Sequence, residues 1–147
     1  MSKKNKKKKL NKTLIEKMLD QQKIPYKQLQ FATVQKGDVK QMDTSILDDE
    51  EALVYRHLSM KKLAKASGNK KCELLPLKKL VATTGYVHGA NTPIGIYQKH
   101  HFPIYLDSSM KEHDQIAVSS GEVGRSIMIN PDDLQKVTNA TFVDLLE

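Results

Sequence analysis

Sequence patterns typical of helices occur at five places along the chain. They predict helices that begin at Thr13, Asp48, Ser59, Pro76 and Asn130. Thr13 and Glu16 together have the form of a capping box, and Gly68 is suited to close the third helix because it accepts a left-handed backbone. The helix after Pro76 is expected to turn Leu77, Leu80 and Val81 towards the core.

Alternating apolar and polar positions predict strands in much of the remaining chain. The alternation is weak over residues 26–34, where Leu29 and Phe31 are in phase, and clear over residues 125–129. Further strands are predicted at residues 72–75, 102–106, 115–119 and 140–145. Because helices and strands do not alternate strictly, we expect an α+β fold with a mixed, barrel-like sheet and helices outside it.

The net positive charge comes entirely from the start of the chain. Residues 1–12 contain seven lysines and no acid, while the rest of the 147 residues has 17 basic and 17 acidic side chains. Since a block of like charges repels itself, we predict a disordered tail over residues 1–12 and one folded domain over residues 13–147. Two roles stay open for the tail. It keeps the protein soluble, or it attracts phosphate backbones and adds affinity without selectivity.

Several classes of protein are excluded by the sequence. No stretch approaches the roughly 20 apolar residues of a membrane span, and no apolar run follows the lysines, so we expect a cytoplasmic protein. The single Cys72 allows neither an internal disulfide nor a cysteine-based zinc site. His100 and His101 have no acidic neighbour at metal-ligand spacing, and P-loop, H-E-x-x-H and G-x-S-x-G motifs are absent. We therefore expect neither a metal nor a cofactor.

Two glycine-rich stretches are the strongest indication of function. The first covers residues 84–95, with three glycines and a proline, and the second covers residues 118–125, with Gly121 and Gly124. Because glycine permits positive φ angles, backbone N–H groups in such loops can converge on a ligand without interference from side chains. They could hold an ester carbonyl while charge develops on its oxygen, although turn glycines between strands would produce the same pattern.

The order and spacing of several motifs resemble the YbaK/EbsC family, freestanding relatives of the editing domain of bacterial prolyl-tRNA synthetase. The matching motifs are Lys61-Lys62-Leu63-Ala64-Lys65, Thr84-Gly85-Tyr86-Val87-His88-Gly89, Thr92-Pro93-Ile94-Gly95, Pro103-Ile104-Tyr105-Leu106-Asp107 and Val118-Ser119-Ser120-Gly121 through Gly124. The resemblance covers nearly all of residues 13–147. The first helix, Ile24-Pro25-Tyr26 and the lysine-rich start are similar to the EbsC branch. The resemblance implies a mixed α/β, barrel-like fold.

The resemblance also implies an activity. The family hydrolyses the ester that links a wrong amino acid to the terminal ribose of a tRNA, typically in Cys-tRNA(Pro), and uses no metal. For cysteinyl substrates the substrate's own thiol attacks its carbonyl, so the reaction has hydrolase and lyase character. The protein then mainly positions the substrate and stabilises its developing charge. The expected partner is an aminoacyl-tRNA. Prolyl-tRNA synthetase is a further candidate partner, and Cys-tRNA(Cys) is a further candidate substrate.

The resemblance carries over to single residues in both glycine-rich stretches. Phe31 matches an aromatic residue that lines the family's pocket. Gly89, which we expect to take part in catalysis, lies in the loop beside the aminoacyl group. The other expected substrate contacts are Tyr86, Ala90, Thr92, Pro93, Ser119, Ser120 and Gly121. At each of these positions a purely structural role stays open.

The chain departs from the family pattern after Arg56. The family has a Lys-Thr-Leu-Val-type strand and a hairpin partner before the Lys-Lys-Leu-Ala helix, whereas here residues 54–56 lead directly into residues 57–61. About twenty family residues have no counterpart, and Arg56 aligns nearest to the lysine that is thought to meet the terminal adenosine. Since Arg keeps the charge of Lys but not its geometry, we expect a weakened catalyst. The alternatives are a noncatalytic member that binds tRNA or a synthetase, and an editing hydrolase for another small amino acid.

Overall fold

Five α-helices, one short 3-10 helix (Ser108–Glu112) and seven strands make up the regular structure of the residues that the computed structural model describes, which are 10–31, 33–36, 39–42 and 58–147. The helices are α1 (Leu14–Gln21), α2 (Met60–Ser67), α3 (Leu77–Thr84), α4 (Pro93–His100) and α5 (Pro131–Thr138). The strands are β1 (Lys27–Gln30), β2 (Thr33–Lys36), β3 (Val39–Met42), β4 (Tyr105–Asp107), β5 (Ile116–Ser119), β6 (Arg125–Ile129) and β7 (Thr141–Val143). The tail predicted over residues 1–12 and the helix predicted from Asp48 lie largely outside the described residues.

Side-chain caps explain where most of the helices begin. The hydroxyl of Thr13 accepts a hydrogen bond from the backbone N–H of Glu16 at 3.2 Å, and Ser59 accepts one from Lys62 at the same distance. Asn130 accepts the backbone N–H of Asp132 at the start of α5. These bonds satisfy N–H groups that have no partner inside the helix. The helix starts predicted at Thr13, Ser59 and Asn130 are therefore confirmed. The start predicted at Pro76 is also confirmed, although α3 has no side-chain hydrogen bond at its N-cap.

The described strands form three separate sheets. Strand β6 lies between β1 and β5, antiparallel to both, while β4 and β7 pair in parallel and β2 and β3 form an antiparallel pair. The predicted α+β class is confirmed. The barrel-like arrangement is corrected for the described part of the chain, because these sheets do not join into a closed barrel.

The hydrophobic core gathers residues from β6 and from the helices around it. Fully buried side chains are contributed by α1 with Leu19, α4 with Ile94, β6 with Ile127 and Ile129, and α5 with Leu134. These residues belong to one packed cluster, which Ile15, Leu106 and Ala140 complete. The core therefore fixes α4 against β6. It thereby joins the end of the first glycine-rich stretch, which lies in α4, to the strand that follows the second glycine-rich stretch.

Asp107 holds the end of the chain against β4. Its carboxylate accepts the backbone N–H of Ser109 at 3.0 Å, the backbone N–H of Leu145 at 2.8 Å and the Ser109 hydroxyl. Burial on its own would raise the pKa of Asp107, but the hydrogen bonds favour the charged carboxylate and bring the pKa below its usual value of 3.8. The charged form of Asp107 therefore stabilises the fold.

The sequence patterns were wrong about two helices. The pattern predicts a glycine-rich loop over residues 84–95, but its end, from Pro93 onwards, belongs to α4, with Thr92 as the N-cap and Pro93 at the first helical position. In α3, Leu77 and Val81 were expected to be buried, yet they are 67% and 52% exposed. Leu80 is half-buried, so the described structure covers only a narrow stripe of this helix.

Three strand predictions also needed correction. Residues 72–75 form no strand, since the apolar pattern there is not matched by a pairing partner in the described part of the chain. The single strand predicted over residues 26–34 is divided into β1 and β2, which pair with different partners. The strand expected at residues 102–106 begins at Tyr105.

Candidate functional site

The first glycine loop, residues 85–92, connects α3 to α4. Gly85 ends α3 in the left-handed conformation, and its N–H donates to the carbonyl of Val81 at 2.8 Å. A tight turn follows, in which the N–H of Ala90 donates to the carbonyl of Val87 at 3.0 Å. Gly89 occupies the third position of this turn with a φ of 83°, a backbone angle that strongly favours glycine.

The second glycine loop, residues 119–124, connects β5 to β6. The N–H of Ser120 donates to the carbonyl of Arg125 at 3.1 Å, and the N–H of Arg125 donates to Glu122 at 3.0 Å. Gly121 and Gly124 have φ angles of 99° and 80°, which let the chain reverse within these few residues. The hydroxyl of Ser119 accepts the N–H of Gly121 at 3.4 Å and supports the turn.

Tyr86 lies where the two glycine loops meet. A Cβ atom built on Gly121 would lie 3.3 Å from Cε1 of Tyr86, and one built on Gly95 would lie 2.1 Å from its hydroxyl oxygen. A Cβ atom on Gly89 would lie 3.9 Å from both methyl carbons of Val123. The loops, which are about 30 residues apart in sequence, are therefore in contact. The Tyr86 ring fits between them because Gly95 and Gly121 have no side chain.

The predicted site residues differ in how they are placed around this contact. The backbone N–H of Phe31 donates to the carbonyl of Gly124 at 2.8 Å, so the half-buried Phe31 lies next to the second glycine loop. Ala90 and Thr92 are buried, and Thr92 caps α4 by accepting the N–H of Gly95. The predicted residues at the contact between the loops are Phe31, Tyr86, Gly89, Thr92 and Gly121. Ser119 and Ser120 directly precede Gly121, while Ala90 lies in the first loop and Pro93 directly follows it. Arg56 lies outside the described residues.

Two buried polar atoms in the loops have no hydrogen-bond partner among the described residues. They are Oγ of Ser120, a residue that is only 1% exposed, and Oδ1 of Asn91. The amide nitrogen of Asn91 donates to the carbonyl of Val87 at 2.9 Å, so its side chain is held in place while its oxygen stays unpaired. Because an unsatisfied buried polar group costs about 1–3 kcal/mol, such atoms are candidates for contact with a ligand.

A buried ion pair supports the second glycine loop and was not predicted. Nη2 of Arg125 lies 2.7 Å from Oε1 of Glu16, and their side chains are 10% and 0% exposed. Gln28 also donates to Glu16, and the Thr13 hydroxyl lies 3.3 Å from the same carboxylate. The sequence shows Glu16 as part of the α1 cap. Its partner is 109 positions away, and no local signal connects the two residues.

A shallow depression of about 330 Å³ lies elsewhere, at the end of α1. Lys12, Asp20 and Tyr26 are among its lining residues. Burial and the hydrogen bond to Asp20 raise the pKa of Tyr26, while the same carboxylate raises the pKa of Lys12. The depression contains none of the predicted site residues. We place the candidate site at the glycine loops because each loop contains a buried polar atom without a partner among the described residues, and because the loops contact each other around Tyr86.

The described residues contain neither a metal-binding cluster nor a membrane-spanning helix. No group of three or more His, Cys, Asp or Glu side chains there has the arrangement of a metal site. Within the same part of the chain, no helix has the length and apolar character needed to cross a membrane.

Comparison with known proteins places the chain in a family. Residues 52–137 match the aminoacyl-tRNA editing domain. The chain is 36% identical to EbsC of Enterococcus faecalis, whose name assigns it to Cys-tRNA(Pro)/Cys-tRNA(Cys) deacylases, over 95% of this chain and 96% of that protein.

Solved structures support the same fold. One is described as a trans-editing enzyme for prolyl tRNA synthetase, with a TM-score of 0.54 and 18% identity over 92% of this chain and 80% of the other. Another, the hypothetical protein APE2540, has a TM-score of 0.57 and 12% identity over 94% and 88% of the two chains. The domain match and the relative from E. faecalis show that the chain belongs to the aminoacyl-tRNA editing domain family, in its YbaK/EbsC branch.

Proposed function

We propose that the chain is a trans-editing deacylase that hydrolyses the ester of mischarged Cys-tRNA(Pro), with Cys-tRNA(Cys) as a second substrate. The observation that carries the proposal is the contact between the two glycine loops around Tyr86, beside the buried and unpaired hydroxyl of Ser120. A loop pair of this kind can surround a small aminoacyl group and offer hydrogen-bond donors to its carbonyl oxygen. The 36% identity to EbsC supports the choice of substrate.

The substrate supplies the nucleophile in the proposed mechanism. Its thiol sulfur attacks the ester carbonyl carbon and gives up a proton, and the bond from that carbon to the ribose oxygen breaks. The ribose oxygen takes a proton, and water then opens the cyclic thioester, so the net reaction is hydrolysis. Neither Ser119 nor Ser120 has a histidine or carboxylate hydrogen-bond partner among the described residues, as an activated serine would require.

The residues of the loops then position the substrate and stabilise the charge that develops on it. Ser120 donates its hydroxyl hydrogen to the oxygen that becomes negative, and Asn91 accepts a hydrogen bond from the substrate through Oδ1. Gly89 keeps the space beside Val123 free for the aminoacyl group. Tyr86, Phe31 and Gly121 form the wall around the aminoacyl group. Thr92 and Ala90 are buried and hold the first glycine loop in place.

Arg56 takes the place of the family lysine in this proposal, and the shortened segment beside it weakens catalysis. The alignment with EbsC spans 160 positions but includes 95% of this chain's 147 residues, or about 140. About 20 positions of the alignment therefore have no residue from this chain. This gap supports the family-based expectation of a missing hairpin, and it also favours the second candidate function, a noncatalytic member that binds tRNA or prolyl-tRNA synthetase in the cytoplasm.

Deacylation of a panel of charged tRNAs tests the proposal. The chain is mixed with Cys-tRNA(Pro), Cys-tRNA(Cys), Ser-tRNA(Pro) and Ala-tRNA(Pro), and the loss of the ester is followed in a single turnover. We expect the two cysteinyl substrates to be hydrolysed and the seryl substrate to be almost inert, because an alcohol is a poorer nucleophile than a thiol at neutral pH. Equal rates for serine and cysteine would exclude the substrate thiol as nucleophile. Binding without hydrolysis of any substrate would support the noncatalytic function.

A further inference from the structure

The folded domain is neutral as a whole but divided into parts of opposite charge. Residues 60–106 contain eight lysines and a single acid, Glu73, whereas residues 107–147 contain three basic and eight acidic side chains. Lys62 and Lys71 form ion pairs with Asp144 and Glu73. The other six lysines of residues 60–106 have no ion pair with a carboxylate among the described residues. Positive charge thus lies on the helices that lead into the first glycine loop.

The exposed side of α3 connects this charge to the candidate site. Lys78, Ala82 and Gly85 are all exposed and lie on one stripe of the helix, because they are spaced at four and three residues. At the end of that stripe, Nζ of Lys99 lies 4.4 Å from the centroid of the Tyr86 ring. The same nitrogen would be 3.1 Å from a Cβ atom on Gly85. Lys78 near the start of α3 and Lys99 beside Gly85 therefore place positive charge at both ends of one exposed stripe, which ends at the first glycine loop.

An exposed pair of aromatic rings lies beside the C-terminal ends of α3 and α4. The rings of His100 and Phe102 are stacked, with centroids 4.8 Å apart and planes inclined by 14°, and Phe102 is 41% exposed. Nε2 of His100 lies 3.2 Å from the carbonyl oxygen of Thr84, the last residue of α3, which fixes the pair beside the loop. Flat aromatic surfaces of this kind are where unpaired bases stack in complexes of proteins with single-stranded nucleic acid.

We infer that these residues form the surface that binds the acceptor end of the tRNA. The basic aromatic face is defined by Lys78, Lys79, Lys99, His100 and Phe102. Its lysines bind successive phosphates, and the stacked rings receive an unpaired base, which places the terminal nucleotide next to the first glycine loop. This inference rests on the proposed function. An acidic protein surface would pair with the lysines but would leave the exposed rings without a partner, so RNA fits the whole face better.

Binding of uncharged tRNA(Pro) to the full chain tests the inference, measured by fluorescence anisotropy over a series of KCl concentrations. The variants are Lys78→Ala with Lys79→Ala, and Phe102→Leu and Phe102→Tyr. We expect the double lysine variant to bind more weakly and to reduce the slope of log K against log salt by about 1.5, since each phosphate contact contributes about 0.7–0.9. Phe102→Leu should weaken binding by about fivefold or more at an unchanged slope, and Phe102→Tyr should restore it, because stacking needs a ring.

The matched control is Lys136→Ala, which removes an exposed lysine from α5, outside the face. An affinity and salt slope of the double variant equal to those of this control would overturn the inference. So would wild-type affinity in Phe102→Leu, or loss of prolyl-tRNA synthetase binding at an unchanged tRNA affinity. Thermal unfolding midpoints confirm that each variant is folded. Because the tRNA is uncharged, absence of deacylation by the wild-type chain would contradict the proposed function without affecting this measurement.

Discussion

Glu16 in the first helix and Arg125 at the start of β6 form an ion pair at 2.7 Å that is almost completely buried. Arg125 also closes the second glycine loop, because its carbonyl accepts the N–H of Ser120 and its N–H donates to Glu122. The pair therefore connects the N-terminal helix to the loop that carries the unpaired Ser120 hydroxyl. Loss of either charge should affect both the stability of the fold and the position of the loop.

The first prediction concerns this pair. Glu16→Gln should lower the free energy of unfolding by about 3–5 kcal/mol, because it leaves the buried guanidinium without a compensating charge. Denaturation in urea measures the change. Asp144→Asn is the control, since it breaks an exposed ion pair with Lys62 and should cost less than about 1 kcal/mol. Replacing both Glu16 and Arg125 by Met should cost less than Glu16→Gln alone, and a larger loss in the double variant would contradict the argument.

The second prediction separates backbone strain from the function of Gly89. Gly89→Ala and Gly68→Ala each place a side chain at a positive φ, of 83° and 73°, so each should destabilise the fold by about 1–2 kcal/mol. Gly68 ends α2 and has no atom near the added Cβ, whereas the Cβ on Gly89 would face Val123 in the other loop. Deacylation should fall strongly only in Gly89→Ala. A similar loss of rate in both variants would mean that strain, and not the space beside Val123, is responsible.

The third prediction concerns the unpaired hydroxyl of Ser120. Ser120→Ala should leave stability unchanged or slightly increased, because the hydroxyl has no hydrogen bond to lose among the described residues. The single-turnover rate on Cys-tRNA(Pro) should fall by about tenfold to a thousandfold if the hydroxyl stabilises the developing charge. Ser126→Ala, a change at another buried serine, serves as the control. Full activity of Ser120→Ala would remove Ser120 from the mechanism.

The fourth prediction follows from the lowered pKa of Asp107. In the folded chain the carboxylate is stabilised, so its contribution is complete above the unfolded pKa of 3.8 and is lost as the pH falls through the lower folded value. Asp107→Asn should cost about 1–3 kcal/mol at pH 7, since a charged acceptor of several hydrogen bonds is lost. The difference from wild type should shrink below about pH 4. Urea denaturation at several pH values measures it, with Asp114→Asn, an exposed carboxylate, as the pH-matched control. A difference that stays constant down to pH 3 would contradict it.

The fifth prediction concerns the segment around Arg56. Restoring a family-type hairpin after this position, with a lysine at its start, should increase the rate of deacylation more than the affinity for tRNA. The reason is that a misplacement of about 1 Å can cost on the order of 100-fold in rate, while a guanidinium can still pair with phosphate. Single-turnover hydrolysis of Cys-tRNA(Pro) by both forms measures the effect. Equal rates would show that the shorter chain positions its substrate adequately.

Local signals in the sequence were sufficient for the helix boundaries that depend on a cap. The Thr13 and Ser59 hydroxyls accept hydrogen bonds from backbone N–H groups three residues further along the chain. Such contacts are determined by neighbouring residues alone. The start of α4 had the same kind of signal, Thr92 followed by Pro93, but the glycines around it favoured a loop. The exposure of Leu77 and Val81 could not be predicted, because periodicity shows which residues share a face and not whether another element covers that face.

The sequence by itself determined the α+β class, most of the capped helices and the two glycine loops as the candidate site, because these depend on local backbone preferences and on motif order. Only the tertiary structure decided that the loops touch around Tyr86, that Glu16 pairs with Arg125 and that Lys99 reaches Tyr86. Glu16 and Arg125 are 109 positions apart, and such contacts depend on how the core around Ile94 and Ile127 brings distant elements together. The free energy of that packing belongs to the whole chain, so no short segment of sequence contains it.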